Sequence, residues 1–242
     1  MPASTNTQWH ARQSRDQYAR AAKVQGLKSR AAFKLLEMDV RYKLFRHGQT
    51  VVDLGYAPGS WSQVAAERTG PRGVVVGIDL IPAQPPKGVT SIQGDFLSPR
   101  VRGLVREVVG EQVRRRDGDG GAGAGGGLIG DRPSYIDMEK QASHDIEAAE
   151  EAAAAKEDPG RIVDDLCHAA LIFASDTLKA GGHFVCKFYQ GAEDKVLHKR
   201  LQKMFEKVHR EKPESSRSDS KEAYFVALRR KGNVTLADIE VA

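Results

Sequence analysis

Cysteine is scarce: the 242 residues contain two, Cys167 and Cys186, far apart in the chain. No Cys/His cluster at metal-ligand spacing accompanies them. This excludes a zinc-stapled or disulfide-framed fold and predicts reduced core thiols in an intracellular protein, with no metal. Long apolar runs are missing as well. Nothing comes near the roughly 18 residues that a membrane-spanning helix needs, and no signal-peptide pattern opens the chain, so no membrane partner is expected. There is no Gly-Lys-Ser/Thr pair, which excludes a P-loop. What is present is 40% hydrophobic residues. That suffices for the core of one domain of ordinary size, with length left for an insertion.

Charge is unevenly placed. The net charge is +5. Residues 1–50 hold ten Lys/Arg against three Asp/Glu, and residues 195–231 hold twelve against five. Residues 139–158 reverse the sign, with seven acidic and two basic. Basic ends around an acidic middle point to a polyanion held by the ends, although two solvated basic helices would read the same way.

The hydrophobic period divides the chain into elements. Residues 9–47 read as helical, with Gly26 as a break and Ser29 as N-cap of a helix through Met38. Thr50–Gly55, Gly73–Asp79 and Val89–Asp95 read as buried strands, with helices over Ser60–Thr69 and residues 98–116 between and after them. This is the grammar of a parallel α/β sheet with helices on both faces. It fails at residues 117–130, a glycine-rich linker, followed by an Ala/Glu-rich stretch over 137–158 expected to form a solvated helix. Order resumes with Arg161–Asp164 as the stub of a strand. A helix over Asp165–Lys179, a strand over His183–Tyr189, a basic helix over Glu193–Phe205, and strands over Val208–Pro213 and Tyr224–Arg229 follow. The expected organisation is a first domain part over 1–110, an insertion over 111–160, a second part over 161–231 and a tail over 232–242.

The stretch Asp53-Leu-Gly-Tyr-Ala-Pro-Gly-Ser-Trp61 leaves a buried strand and opens a helix. Ligands of open α/β sheets sit at such strand ends, and glycine lets the backbone approach them closely. This loop lacks the Gly-x-Gly-x-x-Gly dinucleotide fingerprint, so it suits a nucleotide-like ligand that needs no phosphate cradle. Asp79 ends the second strand, where a carboxylate can accept two ribose hydroxyls. Asp95 ends the third, where it can accept from an adenine amino group. Either aspartate alone could equally be a turn cap.

With that loop, Gly26-Leu-Lys-Ser-Arg-Ala-Ala-Phe-Lys-Leu35, Gln93-Gly-Asp-Phe96, Gly181-Gly-His-Phe-Val-Cys-Lys-Phe-Tyr-Gln-Gly191, Lys212-Pro-Glu-Ser-Ser-Arg217 and Ser220-Lys-Glu-Ala-Tyr-Phe-Val-Ala227 stand in one order. Together they resemble the FtsJ/RrmJ ribose 2′-O-methyltransferases of large-subunit ribosomal RNA, the eukaryotic mitochondrial branch above all. The resemblance implies a Rossmann-like methyltransferase sheet, S-adenosyl-L-methionine as cofactor, ribosomal RNA of the large subunit as partner, a monomer, and a mitochondrial location, with nucleus or cytoplasm as the alternative. It places cofactor contacts on Gly55, Gly59, Trp61, Asp79 and Asp95. Of the family's catalytic Lys-Asp-Lys-Glu set, Lys34, Lys187 and Glu222 carry over. A lysine can assist an alcohol nucleophile when burial or a neighbouring cation tunes it, and a glutamate can orient it.

The family's aspartate, at the end of the fourth strand, has no counterpart. Asp131-Arg-Pro133 is a superficial echo after a glycine linker. The chain runs Arg161-Ile-Val-Asp-Asp-Leu-Cys-His168, as though the start of strand four were joined to the following helix. Three readings stay open: a lost coding segment, a shortened strand in which Asp164 or Asp165 stands in, and a non-catalytic RNA-binding relative used in ribosome assembly. The basic N- and C-terminal helices are expected to flank the site and touch phosphates, with Trp9 and Tyr18 packed in the core rather than stacked on bases.

Overall fold

The computed structural model describes residues 16–118, 159–191, 194–234 and 238. The acidic stretch, Trp9 and Asp131–Pro133 lie outside these. The described elements are α1 (Gln17–Val24), α2 (Ala31–Tyr42), β1 (Thr50–Leu54), α3 (Ser60–Thr69), β2 (Val74–Asp79), β3 (Val89–Gln93), α4 (Pro99–Gly118), α5 (Pro159–Thr177), β4 (Phe184–Tyr189), α6 (Asp194–Met204), β5 (Phe205–Glu211) and β6 (Glu222–Arg230).

The strands form two separate three-stranded sheets. One is parallel, in the order β1-β2-β3, and the other is antiparallel, in the order β4-β6-β5. Alternation of side chains gives each sheet two covered faces. In the first, Val51, Val75 and Val89 pack under Ala65 of α3, while Val52, Leu54 and Ile78 pack under Val105 of α4 and Phe173 of α5. In the second, Cys186, Phe188 and Phe225 meet Leu171 of α5 and Leu197 and Leu201 of α6. Its other face sets Tyr224, Val226 and Leu228 against Ala32, Leu35 and Met38 of α2 and Val64 of α3. Helices α3 and α5 therefore each touch both sheets and hold them in one domain. The second sheet is well cored: Phe188 and Phe225 stack at 4.0 Å and are fully buried. Each such ring contributes roughly 2–3 kcal/mol.

Several expectations are corrected. Helix α2 starts at Ala31 with Arg30 at the cap position, so Ser29 does not begin it, although Ser29 Oγ still accepts from the Ala31 amide at 3.2 Å. Strand β5 begins at Phe205, straight after Met204, where a helix was expected to continue. The stub Arg161–Asp164 is not a strand. It forms the first turns of α5, with Pro159 in the first helical position, where its missing N–H costs nothing. Two apolar residues without a neighbouring strand yield to the helix that runs on from Leu166, because helix propagation is favoured once a nucleus exists. The fourth strand is therefore absent rather than shortened among the described residues. Helix α4, expected over residues 98–116, is found at Pro99–Gly118.

That absence leaves a slot. Among the described residues, β1 pairs only with β2, and β4 only with β6. Every residue of β1 is half-buried, whereas the first five of β2 are buried.

Candidate active site

The slot widens into a cavity of about 2400 Å³. It runs from His47–Thr50, at the start of β1, to Gly55–Pro58 at its end, and it is also walled by Phe184–Lys187 of β4. Small-molecule sites usually enclose roughly 300–1,000 Å³, so this space exceeds what one cofactor needs. The functional end is the one beyond the carboxyl ends of β1 and β4.

At that end the loop after β1 is shaped by two glycines in the left-handed region, Gly55 (φ 71°) and Gly59 (φ 103°), and by a cis Ala57–Pro58 bond. A side chain at Gly55 would point into open space of the cleft, so a ligand has room against the bare backbone. A Cβ on Gly59 would sit 3.0 Å from Pro86. Asp79 ties the loop down: its Oδ2 accepts from the Ala57 amide and its Oδ1 from the Ile81 amide, both at 2.9 Å. Asp53 accepts from Ser62 Oγ at 2.7 Å. By accessible area Asp53 is half-buried, yet its carboxyl lies deep among protein atoms. Burial, opposed by the Ser62 hydrogen bonds and aided by the Asp79 charge, pushes it up to about 6.

The catalytic candidates meet on the second sheet. Lys187 and Tyr189 of β4 stand opposite Tyr224 and Glu222 of β6. The two-residue period turns all four towards α2. From α2, Lys34 Nζ reaches Glu222 Oε1 at 2.5 Å, and both side chains are about 15% exposed (14% and 15%). The same oxygen accepts from the Tyr224 hydroxyl. Burial pushes the Glu222 carboxyl up, but the Lys34 charge and hydrogen bond, the Tyr224 hydroxyl and the Lys187 charge outweigh it, so its pKa is lowered. Lys34 Nζ lies 5.9 Å from the centre of the Tyr224 ring, and Lys187 Nζ lies 5.8 Å from that of Tyr189. Trp61 packs on Tyr224 at 5.6 Å and donates from Nε1 to the Ala31 carbonyl at 3.0 Å. The cofactor loop and the lysine–glutamate cluster are thus locked through one aromatic pair.

Lys34, Lys187, Glu222, Gly55 and Trp61 all line the cavity. Gly59, Asp79 and Asp95 do not. Asp95 Oδ1 caps its own turn by accepting from the Leu97 amide at 2.9 Å. Tyr224 and Asp53 were not singled out from the sequence. The signal for Tyr224 was its position two residues after Glu222 on a strand. Of the two basic helices, α1 reaches the cavity through Arg20 and Lys23, whereas no residue of α6 lines it. α6 packs away, with Arg200 hydrogen-bonded to His168 of α5. Tyr18 packs on Phe33 at 5.5 Å, beneath the Arg30 guanidinium. No helix among the described residues is long and apolar enough to cross a membrane, and these residues hold no metal-ligating cluster.

The chain is similar to known proteins. The chain is 32% identical to the mitochondrial rRNA methyltransferase 2 of Saccharomyces cerevisiae, over 98% of the chain and 91% of that protein. It is 36% identical to the ribosomal RNA large subunit methyltransferase E of Zymomonas mobilis, over 95% and 90%. A crystal structure from Plasmodium falciparum, of a protein provisionally described as a ribosomal RNA methyltransferase, shares the fold. Its TM-score is 0.59 at 24% identity, covering 85% of this chain and 99% of that one. The sequence profile of the FtsJ-like methyltransferases matches residues 27–230, and the chain belongs to that family.

Proposed function

We propose that the protein is an S-adenosyl-L-methionine-dependent 2′-O-ribose methyltransferase of mitochondrial large-subunit ribosomal RNA. The observation that carries this reading is the Lys34–Glu222 pair, with Lys187 acting on the same carboxylate, at the mouth of a cleft walled by the Gly55 loop. The cleft fits the cofactor: Gly55 leaves space for it, and Trp61 and Asp79 brace the elements that would hold it, whereas the resemblance alone assigns Gly59 and Asp95 to the set. Bound there, the cofactor supplies an electrophilic methyl group. The chain's own residues have to place a ribose 2′-oxygen beside it and handle the hydroxyl proton. Glu222, held ionised, fixes Lys34 so that its ammonium orients the hydroxyl and steadies charge developing on the oxygen. Lys187, on the same face of the sheet and beside the same carboxylate, is placed to handle the hydroxyl proton. Arg20 and Lys23 on α1 offer phosphate contacts at the cleft edge. The names of the yeast and bacterial relatives support the substrate and, for the yeast protein, the compartment.

Purified protein incubated with labelled cofactor and large-subunit ribosomal RNA should yield a ribose-methylated nucleotide. The absent fourth strand favours one alternative, an RNA-binding assembly factor on the same scaffold. Cofactor and RNA binding without any transfer would decide for it.

A further inference from the structure

We infer that Gln63 is a positioning residue, which couples the cofactor loop to the start of α2 and so places Lys34. This role rests on the functional reading above, since it concerns where Lys34 stands relative to the cofactor.

The chain between α1 and α2 has to be held from outside. α1 ends at Val24 and α2 begins at Ala31. Gly26 turns the backbone through the left-handed region (φ 67°), and a side chain there would meet nothing. Backbone groups in such a joint lack a helical ladder and need other partners. The first turn of α3 supplies them. Gln63 Nε2 donates to the Gly26 carbonyl at 2.8 Å, and Gln63 Oε1 accepts from the Lys28 amide at 2.9 Å. One side-chain amide thus pairs with a carbonyl and an N–H two residues apart, as a neighbouring strand would. Glutamine can do this because its donor and acceptor sit on one carbon. Leu27, between the two, is partly buried against the core under α2.

Two neighbours of Gln63 extend the clamp. Ser60 Oγ meets Ser29 Oγ at 2.6 Å, and Trp61 Nε1 donates to the Ala31 carbonyl. Lys34 follows Ala31 within the first turn of α2. The other end of the clamp is the cofactor loop itself, because the amide of Gln63 donates to the Gly59 carbonyl at 2.9 Å. Gln63 is therefore bonded through its backbone to the last glycine of the loop, and through its side chain to the joint before α2. The apolar contacts of Ala32, Leu35 and Met38 hold α2 against the second sheet. Such contacts are non-directional and set how deep the helix lies. Hydrogen bonds are directional, so those from α3 set how the helix enters and how it is turned. Its turn decides whether Lys34 Nζ meets Glu222 and the reacting hydroxyl together.

The test compares wild type with Gln63→Ala by hydrogen exchange and by kinetics. The probe is S-adenosyl-L-homocysteine, the demethylated and unreactive form of the cofactor. In wild type it should slow amide exchange over residues 53–63 and also over 26–34. In Gln63→Ala the first effect should persist and the second should vanish. Methyl transfer per folded molecule should fall ~10-fold or more, since a misplacement of about 1 Å can cost up to 10²-fold. The KM for the cofactor should stay within about threefold, the mark of a change felt in the reaction step rather than in binding. Should Gln63→Ala fail to fold, Gln63→Glu serves the same comparison, because it keeps the acceptor for Lys28 and loses the donor to Gly26. A clamp that only stabilises the fold would lower the melting temperature and leave kcat and the protection over 26–34 unchanged, and that result overturns the inference. Failure of wild type to take up the probe would instead sink the functional reading, and this role with it.

Discussion

Glu222 is the residue on which the cluster turns, because one carboxylate oxygen serves both Lys34 and Tyr224. Glu222→Gln should lower methyl transfer about 10²-fold or more, the usual scale for proton-handling groups. It should also cost roughly 1–3 kcal/mol of stability by leaving Lys34 without its charge partner. The sign of the pH dependence follows from the lowered pKa. The contribution is fully present above the ordinary glutamate value of 4.5 and fades as pH falls through the folded value. Melting curves of wild type and variant should converge in acid. Asp53 behaves oppositely. Its raised pKa means that the ionised form is penalised in the fold, so stability declines as pH rises from about 4 towards about 6. Asp53→Asn should melt higher than wild type at pH 8, and the difference should disappear below pH 4. Lys34, Lys187 and Glu222 were legible only through their motifs, since a lysine in a helix or a strand has no periodic signature of function. Tyr224 was hidden because an aromatic residue in a strand reads first as core.

Among the elements, β1, β2 and β4 were legible because apolar runs ended by glycine or flanked by it leave little choice. The start of β5 was not, since Phe205 continues the apolar spacing of α6 and only pairing with Arg230 makes it a strand. The stub at Ile162 shows the same limit from the other side: a strand exists through its neighbours, and composition cannot supply them. The loop after β1 makes its own demand on β2. A methyl at Gly77 would stand 2.6 Å from the Tyr56 ring, which is buried and hydrogen-bonded to the Ala83 carbonyl. Gly77→Ala should displace that ring and cost about 1–3 kcal/mol. Cofactor binding, measured by calorimetry, should weaken more than RNA binding does.

For the whole molecule the two sheets are the decisive feature. Each has its own core, and among the described residues only helices α3 and α5 span them. The chain should therefore unfold without a single sharp transition and should bind apolar dyes, which a thermal melt followed by dye fluorescence checks. Two adjoining apolar edges that lack a strand are also an aggregation hazard. Electrostatics supplies a separate test. Substituting Arg20 and Lys23 together with Ala should weaken RNA binding and reduce its salt slope by roughly 2, one for each lost phosphate contact.

The thiol of Cys167, lent to the carbonyl of Lys187, has a practical consequence. It makes the protein its own reporter. Both cysteines are buried in the wall between α5 and β4. If α5 stays firmly packed on β4, alkylating reagents should reach them only through global unfolding, whereas breathing of its first turns would admit reagent sooner. The labelling rate of Cys167, set against the rate of global unfolding, thus reads out the packing of α5 on β4 without any need for catalysis.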